Sequence, residues 1–214
     1  MTDEIYRPRL FLVTPRQLEL EVFAPRLEAA LAAGDVASLL IAPDAVDDAL
    51  QEIAEKLVPI AQEAGVAALI RNDTRITGRV KADGIHVDSG EEDLKEAIER
   101  FQPRHFVGAG NLANRHQAML AGELGADYVF FGRIDHDERP HAHPRDLEFA
   151  AWWSEVFEPP CVVLAGSDLA DFAATAESGS DFIALRNAVW DHADGPAAAV
   201  AAANAVLDRM MEDV

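Results

Sequence analysis

The chain has 214 residues, half of them hydrophobic, and carries 18 basic against 38 acidic side chains for a formal net charge of −20. That length is enough for one substantial core, the apolar share excludes intrinsic disorder, and the negative field repels nucleic acid and anionic membranes. No apolar run approaches the ~20 residues that span a bilayer, Met1-Thr2-Asp3-Glu4 has the character of no secretory leader, and the single Cys161 excludes an internal disulfide framework. One cytoplasmic domain over residues 1–214 is expected, with no nucleic-acid or membrane partner; the oligomeric state is left open, a homo-oligomer included.

In chain order, Leu10–Thr14 reads as a first strand and 17–33 as an amphipathic helix. A second strand at 36–42 precedes a helix at 46–64, and Val66–Ile70 precedes a short helix at 74–80. Residues 84–87 and 91–100 form the fourth strand–helix pair, 105–109 and 113–123 the fifth. The sixth strand, 127–131, leads into a polar connection at 133–145 containing Pro140 and Pro144, then a helix near 146–157. Strand 161–165 with helix 168–177, and strand 182–185 with the Ala-rich helix 196–211, complete the chain.

A short phrase punctuates this order: Gly34-Asp35, Asp83-Gly84, Gly125-Ala126-Asp127 and Gly179-Ser180-Asp181 each stand before an apolar run. Gly suits a helix C-terminus, and an unbroken apolar run suits a strand buried on both faces. Eight strands alternating with eight helices predict a (β/α)8 TIM barrel, with a doubly wound open sheet as the structural alternative.

In such a barrel the site is built from residues just after the strands. These are Asp44; Arg71, Asn72 and Asp73; Asp88 and Ser89; Gly110 and Asn111; Arg133 and Asp135; Gly166 and Ser167; Arg186 and Asn187. Asp73 suits a divalent cation or, the commoner role for Asp there, the cap of the helix at 74–80. The acids from Asp88 to Asp93 offer hard oxygen ligands or a solvated helix start. Gly166-Ser167 and Arg186-Asn187 suit phosphate through backbone N–H groups and a guanidinium. Asp135, His136, Asp137, His141 and His143 match no rigid metal-ligand spacing and read as a solvated loop. Cys161 and His86 read as buried core residues, and of Trp152 and Trp153 one is expected to pack and the other to stay partly exposed.

On these residues the chain resembles the thiamine phosphate synthase and TenI family. The resemblance rests on Asn72-Asp73, on Ala82-Asp83-Gly84-Ile85-His86-Val87, on Phe106-Val107-Gly108 and on Gly125 through Gly132. It runs from Leu10 to Leu207. It implies an enzyme of thiamine biosynthesis that joins a pyrimidine methyl diphosphate to a thiazole phosphate. Diphosphate leaves with the help of Mg²⁺, and the thiazole nitrogen attacks the resulting cation. By resemblance Asn72 contacts the pyrimidine, Asp73 binds Mg²⁺ together with Glu91 or Asp93, and Gly166 with its neighbours holds the thiazole phosphate. Arg71, Gly110, Ser167, Arg186 and Asn187 complete the substrate and phosphate contacts, and Arg133 replaces the family's His after the sixth strand.

The departures are specific. The family's Gln-x-Arg-x-Lys clamp for diphosphate falls at Leu40, Ala42 and Asp44, apolar and acidic here. Its Ser after the fifth strand falls at Gly110, and its Thr-x-Thr-Lys element is missing from 133–145. Arg71, Arg133 or Arg186 are candidates to replace the clamp. Two other readings stay open: a TenI-like protein acting on thiazole phosphate without diphosphate chemistry, and a non-catalytic barrel that binds a phosphorylated ligand or a partner.

Overall fold

The computed structural model describes residues 6–136 and 139–212. Among them eight parallel strands close into a barrel in chain order: β1 (Arg9–Val13), β2 (Val36–Ile41), β3 (Ala67–Arg71), β4 (Gly84–Val87), β5 (Phe106–Ala109), β6 (Tyr128–Phe131), β7 (Cys161–Leu164) and β8 (Phe182–Leu185). β8 pairs back onto β1, with Leu10 opposite Ile183 and Phe11 opposite Ala184. That pairing removes the open-sheet alternative. The helices outside are α1 (Leu20–Leu31), α2 (Asp47–Glu63), α3 (Thr74–Arg79), α4 (Glu91–Phe101), α5 (Arg115–Leu124), α6 (Pro144–Val156), α7 (Phe172–Ala176), α8 (Asn187–Trp190) and α9 (Pro196–Glu212). No described helix is long and apolar enough to cross a membrane.

Two elements differ from expectation. The helix expected at 168–177 shrinks to the five residues of α7, because the Asp168 carboxylate accepts from the Ala170 amide at 2.8 Å and holds a turn that competes with helix. The unexpected α8 is a single turn after β8, too short to leave a periodic pattern. It is fastened by the Trp190 indole, which donates to the Val13 carbonyl at 2.7 Å.

Strand alternation sorts side chains to two cores. Leu10, Leu12, Leu39, Ile41, Ile70 and Val129 face outward and pack against the helices. Phe11, Val13, Leu40, Ala42, Leu69, Tyr128, Phe130, Val162 and Leu164 fill the interior. The interior is tight at Gly108: a Cβ there would stand 1.9 Å from the Tyr128 ring. Of the two adjacent tryptophans, Trp153 is fully buried and Trp152 only partly so. Cys161 is buried, and desolvation pushes its thiol up to about 12.

The recurring Asp has one structural job at the base of the barrel. Asp83, just before β4, accepts from the Ala68 amide of β3 at 2.8 Å. Asp127, before β6, accepts from the Val107 amide of β5 at 2.7 Å. Asp181, before β8, accepts from the Cys161 amide of β7 at 2.8 Å. Asp83 and Asp127 also donate their own amides back to the Ala68 and Val107 carbonyls, each at 2.8 Å. Each of these carboxylates thus ties an even strand to the odd strand before it. At the β1–β2 seam the same position, Asp35, takes the Arg9 guanidinium instead, at 2.6 and 2.8 Å.

These seams differ in energy. Removing Asp127 strands a strand amide that loses a charge-assisted bond, so Asp127→Ala is expected to cost about 2 kcal/mol. The Arg9–Asp35 pair is half-exposed, with side chains 49% and 40% accessible, and Asp35→Ala is expected to cost less than about 1 kcal/mol. Urea unfolding of both variants checks the contrast; equal losses would show that the seam bond adds nothing beyond a surface pair.

Candidate active site

The rim after the strands is organised by Arg71, the last residue of β3. Its Nε donates to Asp88 Oδ2 at 2.9 Å, while Nη1 and Nη2 donate to the two oxygens of Asp135 at 2.7 and 2.8 Å. Asp88, just past β4, is 8% exposed and Asp135 is 42% exposed. Both carboxylates raise the Arg71 pKa, with the Asp135 hydrogen bonds first among the causes, and those same bonds hold the Asp135 carboxyl below the usual range.

Asn72 fixes Asp88. Its Nδ2 donates to Asp88 Oδ1 at 2.6 Å, and its Oδ1 accepts from the Asp88 amide at 2.9 Å. Asn72 sits at φ 57°, a left-handed conformation that Asn tolerates better than most residues. Expected as a pyrimidine contact, it uses both ends of its amide on Asp88 and so positions Arg71. A third charged pair lies at the same end of the barrel: Arg16, beyond β1, bonds Asp44, beyond β2, at 2.9 to 3.2 Å. Arg16 and the buried Arg186 both act electrostatically on Asp135. Arg16 escaped the sequence reading, although Thr14-Pro15-Arg16 follows a strand just as the other candidates do.

The remaining candidates fall into three groups. Arg133 is exposed and joins Arg71, Asp88 and Asn111 around a small central space of about 40 Å³. Gly166 and Ser167 lie under the β6–α6 connection: the Ser167 amide and hydroxyl donate to the Arg139 carbonyl at 2.7 and 3.1 Å. Asn187 opens α8 directly after Arg186. Leu40 and Ala42 lie inside the apolar barrel, so β2 itself offers no cation.

The metal expectation meets a different arrangement. Asp73 caps α3, its Oδ1 accepting from the Ile76 amide at 2.7 Å. Glu91 and Asp93 are exposed on the first turn of α4, where acids offset the helix dipole. Among the described residues no three His, Cys, Asp or Glu side chains converge as a metal set. As arranged, these residues do not fit a protein-made magnesium site. Of the histidine-rich connection, His141 pairs with Asp171 at 2.5 Å and His143 caps α6 through the Arg145 amide; Asp137 lies outside the described residues.

Beneath the rim lies His86, fully buried on β4. Its Nδ1 shares a hydrogen bond with the Tyr128 hydroxyl at 2.9 Å, and its ring stacks on Tyr128 with centroids 5.8 Å apart. Its Nε2 has no hydrogen-bond partner among the described residues and points towards Gly110, where a Cβ would stand 2.4 Å away. Gly110 thus keeps open the space above the ring. The sequence expectation of a satisfied core histidine holds for one nitrogen and not the other.

Fold and site together define a (β/α)8 barrel with arginines from several strand exits gathered on its rim. The chain belongs to the family described as thiamine monophosphate synthase, whose model matches residues 10–189. It is 38% identical to a thiamine-phosphate synthase of Hyphomonas neptunium over 211 residues, 95% of this chain and 96% of the relative. It is also 38% identical to one from Rhodospirillum centenum over 201 residues, covering 93% and 97% of the two chains. Among solved structures, thiamine phosphate pyrophosphorylase from Pyrococcus furiosus superposes with a TM-score of 0.77 at 22% identity, over 95% of this chain and 96% of that one.

Burial drives the His86 pKa down to about 4, so the ring is neutral in the folded protein. The unfolded chain therefore binds a proton that the folded one rejects, and His86 costs stability as pH falls from about 6.5 towards 4. At pH 5 the loss attributable to this ring is about 2 kcal/mol. Urea midpoints at pH 7.5 and 5.0 check this: the drop in wild type should exceed that in His86→Gln by that amount, and parallel drops would refute a neutral buried imidazole.

Proposed function

We propose that this chain is a thiamine-phosphate synthase, joining a pyrimidine methyl diphosphate to a thiazole phosphate. The thiazole nitrogen forms the new bond to the methylene carbon, and the carbon–oxygen bond breaks with its electron pair leaving on diphosphate. The observation that carries this reading is the gathering of Arg16, Arg71 and Arg186 around one rim position in a chain of net charge −20. Guanidinium groups there stabilise the charge that develops on a departing diphosphate, the function that β2 no longer serves. Arg133 adds a further cation at the same opening, and Gly166, Ser167 and Asn187 offer backbone donors for the thiazole phosphate. Gly110 leaves room over His86 for the pyrimidine. No step is assigned to magnesium, because Asp73, Glu91 and Asp93 do not converge.

A second reading draws on one observation: no cation arises from β2, whose Leu40 and Ala42 are buried and apolar. It makes the chain a TenI-like protein or a phosphate-ligand binder that handles thiazole phosphate without diphosphate chemistry.

Incubation with both substrates in magnesium buffer, with diphosphate and thiamine phosphate as readouts, separates the two. Release of both products is expected, and Arg71→Ala is expected to lower kcat/KM by about 100-fold. No diphosphate release from the wild type would leave the second reading, and an unaffected Arg71→Ala would remove Arg71 from the chemistry.

A further inference from the structure

The connection between β6 and α6 brings two kinds of acceptor into the rim at once. Asp135, in a 3-10 turn over Ile134–His136, lays its carboxylate across Arg71, within electrostatic reach of Arg16 and Arg186. Further along, the Arg139 carbonyl takes the Ser167 amide and hydroxyl, and the Pro140 carbonyl takes the Asp168 amide at 3.3 Å. Gly166 makes this approach possible, since a Cβ there would stand 2.1 Å from the Pro140 oxygen. The His141–Asp171 pair fastens the same stretch beside α7.

Guanidinium forks and free loop amides are the two donor types that proteins aim at phosphate oxygens. Here the Arg71 fork and the Ser167 and Asp168 amides are filled from within the chain. The space lined by Arg71, Asp88, Arg133 and Asp135 is about 40 Å³, far below the several hundred Å³ of a typical ligand site, and a cavity of about 170 Å³ shares Asp88 and Asn111 with it. A phosphate that takes Arg71 or the Ser167 and Asp168 amides must displace the acceptors that hold them.

The two carboxylates on Arg71 are unequal candidates for displacement. Asp88 is nearly buried, follows a strand and is held by Asn72. Asp135 is far more exposed and belongs to a connection. Losing Asp88 from Arg71 would leave a buried charge without its partner, whereas Asp135 can move into water.

We propose that the β6–α6 connection is an internal occupant of the site: Asp135 on Arg71, and the Arg139 and Pro140 carbonyls on the Ser167 and Asp168 amides, hold two anion positions that a phosphorylated ligand takes by exchange. This rests on the proposed function only in taking the ligand to be phosphorylated.

Calorimetric titration of the full chain with inorganic pyrophosphate reads it without turnover. Asp135→Asn keeps the side chain's shape and removes its charge, so it is expected to bind pyrophosphate about 10-fold more tightly than wild type, the exchange no longer having to displace a carboxylate from Arg71. Equal or weaker binding by the variant, or no binding by either protein, overturns the proposal. As a second measurement, saturating pyrophosphate should raise deuterium uptake across residues 132–143 of the wild type. Lower uptake would mean that the connection closes over the ligand rather than giving way to it. Turnover of both substrates with failure of these tests removes only the internal occupant; tighter binding by Asp135→Asn without turnover removes only the synthase.

Discussion

Carboxylates at the base of the barrel tie β4 to β3, β6 to β5 and β8 to β7, each through an Asp that reaches the amide of the preceding strand. The strands they join are only four or five residues long. A one-residue slip in so short a strand would turn its interior side chains outward. At the Asp83 and Asp127 seams the backbone returns the bond, so register is pinned from both sides before the ladder begins. Everything above depends on that register, including which residues face the interior and which reach the rim.

The consequence is read layer by layer up the β3–β6 wall. Gly108 on β5 lies opposite Tyr128 on β6, and the missing Cβ gives the phenol ring its place. Tyr128 then holds His86, and His86 lies opposite Arg71 across the β3–β4 ladder. Two residues further, just past β4, Asp88 turns back to Arg71 and Asn72 locks Asp88. The interior layer of Phe11, Phe130 and Tyr128 around His86 is buried and aromatic. A guanidinium standing on such a floor is screened less than one in open water, so its bonds to carboxylate or phosphate are stronger.

Much of this was legible in the residues. Asp83, Asp127 and Asp181 marked the strand starts, and alternation of strands with helices led to the barrel, because unbroken apolar runs and Gly-terminated helices are local signals. Their cross-strand bonds were not legible, since Ala68, Val107 and Cys161 are ordinary strand residues that become partners only in the closed fold. The strand-exit rule picked out Arg71, Asp88, Asp135 and Arg186. It did not say that Asp88 and Asp135 would share Arg71, or that Asn72 would serve Asp88. Asp73 shows the opposite case: a cap and a metal ligand ask for the same residue after the same strand, and in the fold one of its oxygens accepts from the Ile76 amide. Gly166-Ser167 could be read as a phosphate turn or as a plain turn, and what covers Ser167 comes from 28 residues away in the chain.

The rim also resolves an apparent conflict between a strongly acidic chain and an anionic substrate. Charges separated by more than about 8 Å of physiological solution are largely screened, so net charge governs approach and close pairs govern the site. Around the rim, guanidinium groups come from the exits of β1, β3, β6 and β8 and carboxylates from those of β2, β4 and β6. Asp44 and Asp88 each hold an arginine in place from a neighbouring strand exit. Asp135 crosses from β6 to Arg71 on β3, and it alone of the three belongs to a connection that also covers Ser167. The same acidity that sets the chain's overall charge therefore supplies, at one point, the carboxylate that Arg71 bonds and whose field reaches Arg16 and Arg186.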